Sequence, residues 1–95
     1  MKVEPIEIYS DKTNAAIMRH PGRKHPGVLV QGDDLNLLCM IADGLCKNLE
    51  PKVDTATYRE LDHLRKALKG YLSHYKDTLR EHGMRPPFPE TGPTA

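Results

Sequence analysis

The stretch 27–50 constrains what this chain folds into more than any other part of the sequence. Residues 28–30 are apolar and rich in valine, with glycines close by on both sides, which is typical of a short β-strand. A turn at Gln31 and Gly32 follows, and the side chain of Asp33 is suited to capping a helix. The sequence therefore predicts a strand that leads directly into a helix over residues 34–50.

This predicted helix is apolar on most of its circumference. Its leucines and an alanine recur at steps of three and four, and further apolar side chains stand between them. A helix of this kind is normally covered on two sides. We therefore expect a sheet on one side and a second helix on the other, with Leu38, Ile41, Ala42 and Leu45 buried.

Two further strands are predicted ahead of this stretch. Residues 3–9 alternate in polarity as a strand does, and Pro5 places that strand at a sheet edge or bulges it near its start. The polar residues 10–14 predict a turn, and residues 14–19 predict the second strand of a hairpin. The loop 20–27 then repeats His-Pro-Gly around a basic centre and leads into the third strand.

A second helix is predicted over residues 56–82, with apolar residues on one side and charged residues on the other. Asp54, Thr55 or Thr57 is suited to capping its beginning, and Thr57 also fits a capping box. Gly83 is suited to ending it in a left-handed conformation.

Two glycines and the chain end complete the prediction. Gly44 and Gly70 each stand in mid-helix, where glycine costs about 1 kcal/mol relative to alanine. Gly70 indicates a close crossing or a bend, and we expect the helices to approach through both glycines. Phe88 is expected to anchor the proline-rich stretch 84–89 on the body of the protein. Residues 90–95 are expected to be mobile.

These elements predict an α+β fold in the order β-β-β-α-α. A three-stranded, mainly antiparallel sheet is followed by an antiparallel two-helix hairpin packed on one face. With 95 residues there is room for one core, so residues 1–89 are expected to form a single domain and 90–95 a tail. The other face of the sheet is left exposed or used for dimerisation.

The composition narrows the function classes. A net charge of +1 argues against a dedicated nucleic-acid binder. We find no stretch apolar and long enough for a membrane span or a signal peptide, and expect a cytoplasmic protein. Cys39 and Cys46 stand seven residues apart on one helix, about 10 Å along its axis, which is beyond disulfide reach. Both are expected to be reduced core residues.

Two groups of residues carry a resemblance to a known family. The first comprises Glu7-Ile8-Tyr9-Ser10-Asp11, Asn14-Ala15-Ala16, Arg19-His20-Pro21-Gly22-Arg23, Pro26-Gly27-Val28 and Gln31-Gly32-Asp33. The second comprises Leu72-Ser73-His74-Tyr75-Lys76, Glu81-His82-Gly83 and Pro87-Phe88. Over nearly its whole length the chain resembles a small bacterial family known only as a domain of unknown function. The resemblance implies a stand-alone bacterial domain and transfers no activity and no catalytic residue.

The basic loop is the best candidate site in the sequence. We assign ligand or partner binding to Arg19, His20, Arg23, Lys24 and His25. Their cations, together with the glycine N–H groups of the loop, are suited to a phosphate or to the carboxylates of a partner. The alternative is structural: Arg23 and Lys24 pair with the aspartates at 33–34 or face water.

A secondary surface is predicted from Tyr75, His82 and Phe88, with packing of the chain end onto the second helix as the alternative. We predict no catalytic residue, no metal site and no cofactor. His63 and His74 lie about 16 Å apart along one helix and therefore are not expected to share an ion.

Three functions remain open. The first is a non-enzymatic protein-binding module, such as a small immunity-type or regulatory protein, with an unknown protein partner and a homodimer as an alternative. The second is an anion or nucleic-acid binder that uses the loop 19–25. The third is a small enzyme of unrecognised type, which requires a pocket with converging polar groups.

Overall fold

The computed structural model describes residues 1–89 of the chain. It contains β1 Glu7–Ser10, β2 Ala16–Arg19, β3 Gly27–Leu29, α1 Gly32–Leu49 and α2 Thr55–Glu81. The predicted β-β-β-α-α order and the α+β class are therefore confirmed. The chain divides into two compact units, Met1–Gln31 with the strands and a second unit from Gly32 onward with the helices. The single domain and the helices packed on one sheet face stay predictions, and the tail 90–95 lies outside the described residues.

The strands form one antiparallel sheet in the order β1-β2-β3, with β2 in the centre. Met18 of β2 lies opposite Ile8 on one side and opposite Gly27 on the other. Because side chains alternate along a strand, Met18 and His20 are directed to one face of the sheet and Arg19 to the other.

The strand β1 lies at the edge of the sheet, as Pro5 predicts. It begins only at Glu7, since a proline has no N–H group to donate to a ladder. The predicted bulge is present, but it lies between Ile8 and Ser10 and not near Pro5. At the other end of β1, Glu7 lies opposite Arg19 and forms an ion pair with it.

The helix α1 begins earlier than its sequence predicts. Asp33 was expected to precede the helix, but it lies inside the first turn, where its charge still favours the helix dipole. Gly32 is the first residue of α1 and is buried. A Cβ atom on Gly32 would overlap the phenol ring of Tyr75 in α2. Glycine therefore stands here because two helices approach closely, and not because the chain turns.

Both ends of α2 are capped by the residues that the sequence indicates. The carboxylate of Asp54 accepts a hydrogen bond from the backbone N–H of Thr57 at 2.7 Å, so Asp54 is the N-cap among the three candidates. Gly83 has a φ of +68°, the left-handed conformation expected after a helix end. The N–H of Met84 donates to the carbonyl of Leu79 at 2.8 Å, which completes a Schellman motif.

The helix pair α1 and α2 has a small core. The buried apolar residues of the described chain are Cys39, Ala42, Cys46 and Leu72. Both cysteines are free, as predicted. The predicted crossing through Gly44 and Gly70 is wrong, because a Cβ atom built on either glycine meets nothing within 4 Å.

The predicted burial of α1 is wrong for three of its four residues. Ala42 is buried, but Leu38, Ile41 and Leu45 are 44%, 50% and 44% exposed. The physical reason is geometric: one helical neighbour covers a single strip of a helix, and α1 carries more apolar positions than that strip holds.

Candidate functional site

The helix pair exposes several large apolar side chains, and helical spacing places five of them on one side, whereas Met40 is exposed outside that group. Leu38, Ile41 and Leu45 belong to α1, and Leu64 and Tyr71 belong to α2, where they are 55% and 66% exposed. We call these five residues the apolar face. Large apolar side chains that are exposed on the same side of two helices make this side a candidate interaction surface.

The opposite side of the helix pair carries a network of ion pairs. Asp43 of α1 lies 3.5 Å from the guanidinium of Arg65 and 3.1 Å from the ammonium of Lys69, both in α2. Within α2, Asp62 pairs with Arg65 and, at 2.9 Å, with Lys66. We call these five residues the ion-pair face.

Helical spacing separates the two faces. Residues two apart on a helix are directed about 160° from each other. Ile41 and Leu45 each stand two residues from Asp43, and Tyr71 stands two residues from Lys69. The apolar side chains are therefore directed away from the ion pairs on both helices.

The cations of α2 all avoid the apolar face. Each is directed about 100° or more away from the line through Leu64 and Tyr71, by the helical spacing. These cations are Arg59, Arg65, Lys66, Lys69, Lys76 and Arg80. The apolar face of α2 therefore offers no positive charge to a partner, and recognition there depends on apolar contact.

A cleft of about 350 Å³ lies on the ion-pair side of the helix pair. It is lined by Asp43, Cys46, Lys47, Glu50, Tyr58, Arg65 and Lys69. Burial, followed by the charge of Glu50, raises the pKa of the Tyr58 phenol. Arg65 and Lys69 already pair with Asp43, so these two cations of the cleft are engaged within the helix pair.

The thiol of Cys39 is not an activated nucleophile. Burial, with a further contribution from the charge of Asp43, raises the pKa of the Cys39 thiol. A raised pKa keeps the thiol protonated, and the thiolate is the reactive form. Within residues 1–89 no group of three or more His, Cys, Asp or Glu side chains is placed to hold a metal ion.

The basic loop is only partly brought together by the structure. Arg19 is half-buried and already engaged, since it pairs with Glu7 and donates to the backbone carbonyl of Arg23 at 2.9 Å. His20, Arg23 and His25 line a second cleft of about 310 Å³ on the sheet, whereas Arg19 and Lys24 do not. We call it the sheet cleft; its remaining lining is Ile6, Met18, Gly27, Val28 and Leu29.

The three residues of the predicted secondary surface, Tyr75, His82 and Phe88, each make a different contact. Tyr75 lies against Gly32, and the ring Nδ1 of His82 lies 2.9 Å from the carbonyl oxygen of Thr78. The half-buried ring of Phe88 lies 5.7 Å from the ammonium of Lys76, measured to its centroid, which ties the chain end to α2. A binding role for these three residues stays a prediction.

A family model described as "Family of unknown function (DUF6959)" matches residues 1–88 of the 95. The chain belongs to this family. The match spans all three strands and both helices, and it confirms the resemblance to a domain of unknown function. No curated protein and no solved structure matches the chain.

The family match covers the whole fold but brings no known function with it. Inference about function therefore depends on the surfaces described above. Among residues 1–89, neither helix has the length and apolar character needed to cross a membrane. The apolar face is the feature that sequence reasoning missed as a site. Its signal was present in the excess of apolar positions on α1, which the sequence analysis assigned to a buried core.

Proposed function

We propose that this protein is a non-enzymatic protein-binding module, of the immunity or regulatory type, and that it binds through the apolar face. The observation that carries the proposal is the exposure of Leu38, Ile41, Leu45, Leu64 and Tyr71 on one side of two helices. A solvated face of this composition is costly, and burial by a partner removes that cost at roughly 25 cal/mol per Å².

The partner is expected to contribute an amphipathic helix. Two helices that lie side by side form a groove between them, and an apolar helix face is the surface that such a groove accepts. The 18 residues of α1 extend over about 27 Å, which is enough for five turns of a bound helix. Because no cation of α2 is directed to this side, the partner is not selected by negative charge.

Two adjacent residues of α1 provide a matched test. Ile41 belongs to the apolar face, and Met40, 62% exposed, is directed about 100° away from it, toward the side of Asp43. The variants Ile41→Glu and Met40→Glu add the same charge to the same helix. The partner is isolated from cells in which the gene is native and is then purified. We expect the purified partner to bind the wild type and Met40→Glu and not to bind Ile41→Glu.

Equal binding of both variants by the purified partner contradicts the proposal. Self-association that is lost only in Ile41→Glu would assign the apolar face to a second copy of this chain and remove the separate partner. Far-ultraviolet circular dichroism of both variants checks that the helices are kept.

A second candidate, the binding of an anion by the basic loop, is supported by the convergence of His20, Arg23 and His25 on the sheet cleft. A bacterial origin and a cytoplasmic location form part of the proposal as well. The third alternative, an enzyme of unrecognised type, stays a prediction.

A further inference from the structure

The loop at the sheet cleft holds the backbone of Arg23 from two directions. Its N–H donates to the carbonyl of His20 at 2.9 Å, and its carbonyl accepts from the guanidinium of Arg19 at the same distance. Arg19 is itself fixed by its ion pair with Glu7. The position from which the Arg23 side chain extends is therefore ordered by bonds that do not use that side chain.

A third hydrogen bond sets the ring of His20. The backbone N–H of Gly22 donates to its Nδ1 at 2.9 Å. A ring nitrogen that accepts carries no proton, so the neutral ring holds its proton on Nε2. His20 therefore presents a hydrogen-bond donor at Nε2 to whatever approaches the ring edge.

The charges at the sheet cleft are unbalanced. Among residues 1–89, no acidic side chain lines the cleft, and within residues 1–31 the ion pairs do not include Arg23. Arg19 is used by Glu7, which leaves the guanidinium of Arg23 as the cation available at this place. Beside it, Ile6 and Leu29 are 44% and 47% exposed and form an apolar floor.

We infer that the sheet cleft binds a small organic carboxylate with an apolar body. The guanidinium of Arg23 and the Nε2–H of His20 hold the carboxylate, which a guanidinium binds in a planar, two-point geometry. The apolar body covers the floor formed by Ile6 and Leu29. A volume of about 310 Å³ lies at the lower end of the range for ligand sites, which indicates a ligand of modest size. This inference is independent of the apolar face.

Three matched probes separate the contributions of charge and apolar surface. Hexanoate carries both, hexanol carries the same chain without the charge, and inorganic phosphate carries charge without a chain. Titration of the ¹⁵N-labelled full chain should give saturable shifts at the residues of the sheet cleft with hexanoate. Hexanol should bind at least about tenfold more weakly, because it cannot make the hydrogen bonds to a charged group that contribute on the order of tenfold or more in affinity. Phosphate should also bind at least about tenfold more weakly, because it has no apolar chain to cover the floor.

The chain offers a matched pair of variants at neighbouring positions. Arg23→Gln and Lys24→Gln each remove one positive charge from the same loop, but only Arg23 lines the sheet cleft. Both bonds that order the loop use backbone atoms of Arg23, so Arg23→Gln keeps them. We expect hexanoate affinity to fall at least about tenfold in Arg23→Gln and to stay within about twofold in Lys24→Gln.

Several outcomes would overturn the inference. They are an equal loss of affinity in the two variants, hexanol binding as well as hexanoate, phosphate binding as well as hexanoate, or no saturable shift with hexanoate. A short single-stranded oligonucleotide tests whether the loop binds nucleic acid instead. If it binds more tightly than hexanoate and depends equally on Arg23 and Lys24, the loop is a nucleic-acid surface and the organic carboxylate is excluded.

Discussion

The ion-pair face and the apolar face are formed by the same two helices but differ in the side chains that they present to water. On the ion-pair face, Asp43 of α1 pairs with Arg65 and Lys69 of α2, so charged groups of the two helices neutralise one another. On the apolar face, Leu38 and Tyr71 are exposed and leave their apolar surface in water. The ion pairs therefore link α1 to α2 at defined positions, whereas the apolar face remains in contact with water and is the surface to which we assign the proposed partner.

Energetics support this division. Exposed ion pairs contribute roughly 0–1 kcal/mol each, so the ion-pair face specifies the pairing of α1 with α2 more than it stabilises it. Exposed apolar area carries a larger potential gain per residue, on the order of 1.5–3 kcal/mol for a fully buried leucine. That gain is realised only on binding, which is the thermodynamic basis of the proposed function.

The largest expected effect comes from truncating leucines on the two sides of α2. Leu72 is 6% exposed and belongs to the core, whereas Leu64 is 55% exposed and belongs to the apolar face. Leu72→Ala should lower the free energy of unfolding by about 2–5 kcal/mol. Leu64→Ala should lower it by at most about 1 kcal/mol.

Urea unfolding of the two variants at low protein concentration measures this difference. Leu72→Ala is expected to shift the midpoint far more than Leu64→Ala, with a similar slope for both. A comparable loss of unfolding free energy in the two variants would contradict the exposure of the apolar face, because it would mean that this face is already covered in solution.

Local sequence rules predicted much of the fold. The three strands and two helices follow from periodicity and from punctuation such as Pro5 and Gly83, and both caps of α2 follow from residue chemistry. Burial along α1 did not follow, because a pattern of apolar positions shows which side chains are oily and not how many neighbours cover them. Leu38 and Ala42 fit the same period, yet only Ala42 is buried.

The candidate site was predictable to a similar extent. The basic composition of the loop located His20, Arg23 and His25, which the structure places in one cleft. It did not separate Arg19 from them, because strand register decides that Arg19 meets Glu7 across the sheet. Register depends on contacts between residues distant in sequence, which local patterns do not encode.

Two glycines of α1, Gly32 and Gly44, test how closely α1 and α2 approach each other. A Cβ atom on Gly32 would overlap the ring of Tyr75, and one on Gly44 would meet nothing within 4 Å. Gly32→Ala should therefore lower the free energy of unfolding by about 1–3 kcal/mol through overpacking. Gly44→Ala should raise it by about 0.5–1 kcal/mol, since alanine is the better helix former. Thermal unfolding of both variants gives the two signs, and stabilisation by Gly32→Ala would contradict the close approach.

The smallest expected effect is a pH dependence that belongs to the ion-pair face. Hydrogen bonds from Arg65 and then from Lys66 hold the pKa of the Asp62 carboxyl below its usual value of 3.8. A carboxyl with a lowered pKa in the folded state stabilises the fold above its unfolded pKa and loses that contribution as the pH falls through the folded value. Asp62→Asn should therefore have a lower urea midpoint than the wild type at pH 6. The difference between the two midpoints should shrink as the pH falls below about 4.

Asp77→Asn is the matched control for Asp62→Asn, because Asp77 pairs with Arg80 at the same spacing in α2. That pair is 66% and 60% exposed in its side chains, compared with 25% and 20% for Arg65 and Asp62. Water screens an exposed pair more strongly, so Asp77→Asn should change the midpoint less at pH 6. If the two variants gave equal differences at every pH, the ion-pair face would be no more than a solvated surface. The contrast between the two faces would then rest on the exposure of the apolar face alone.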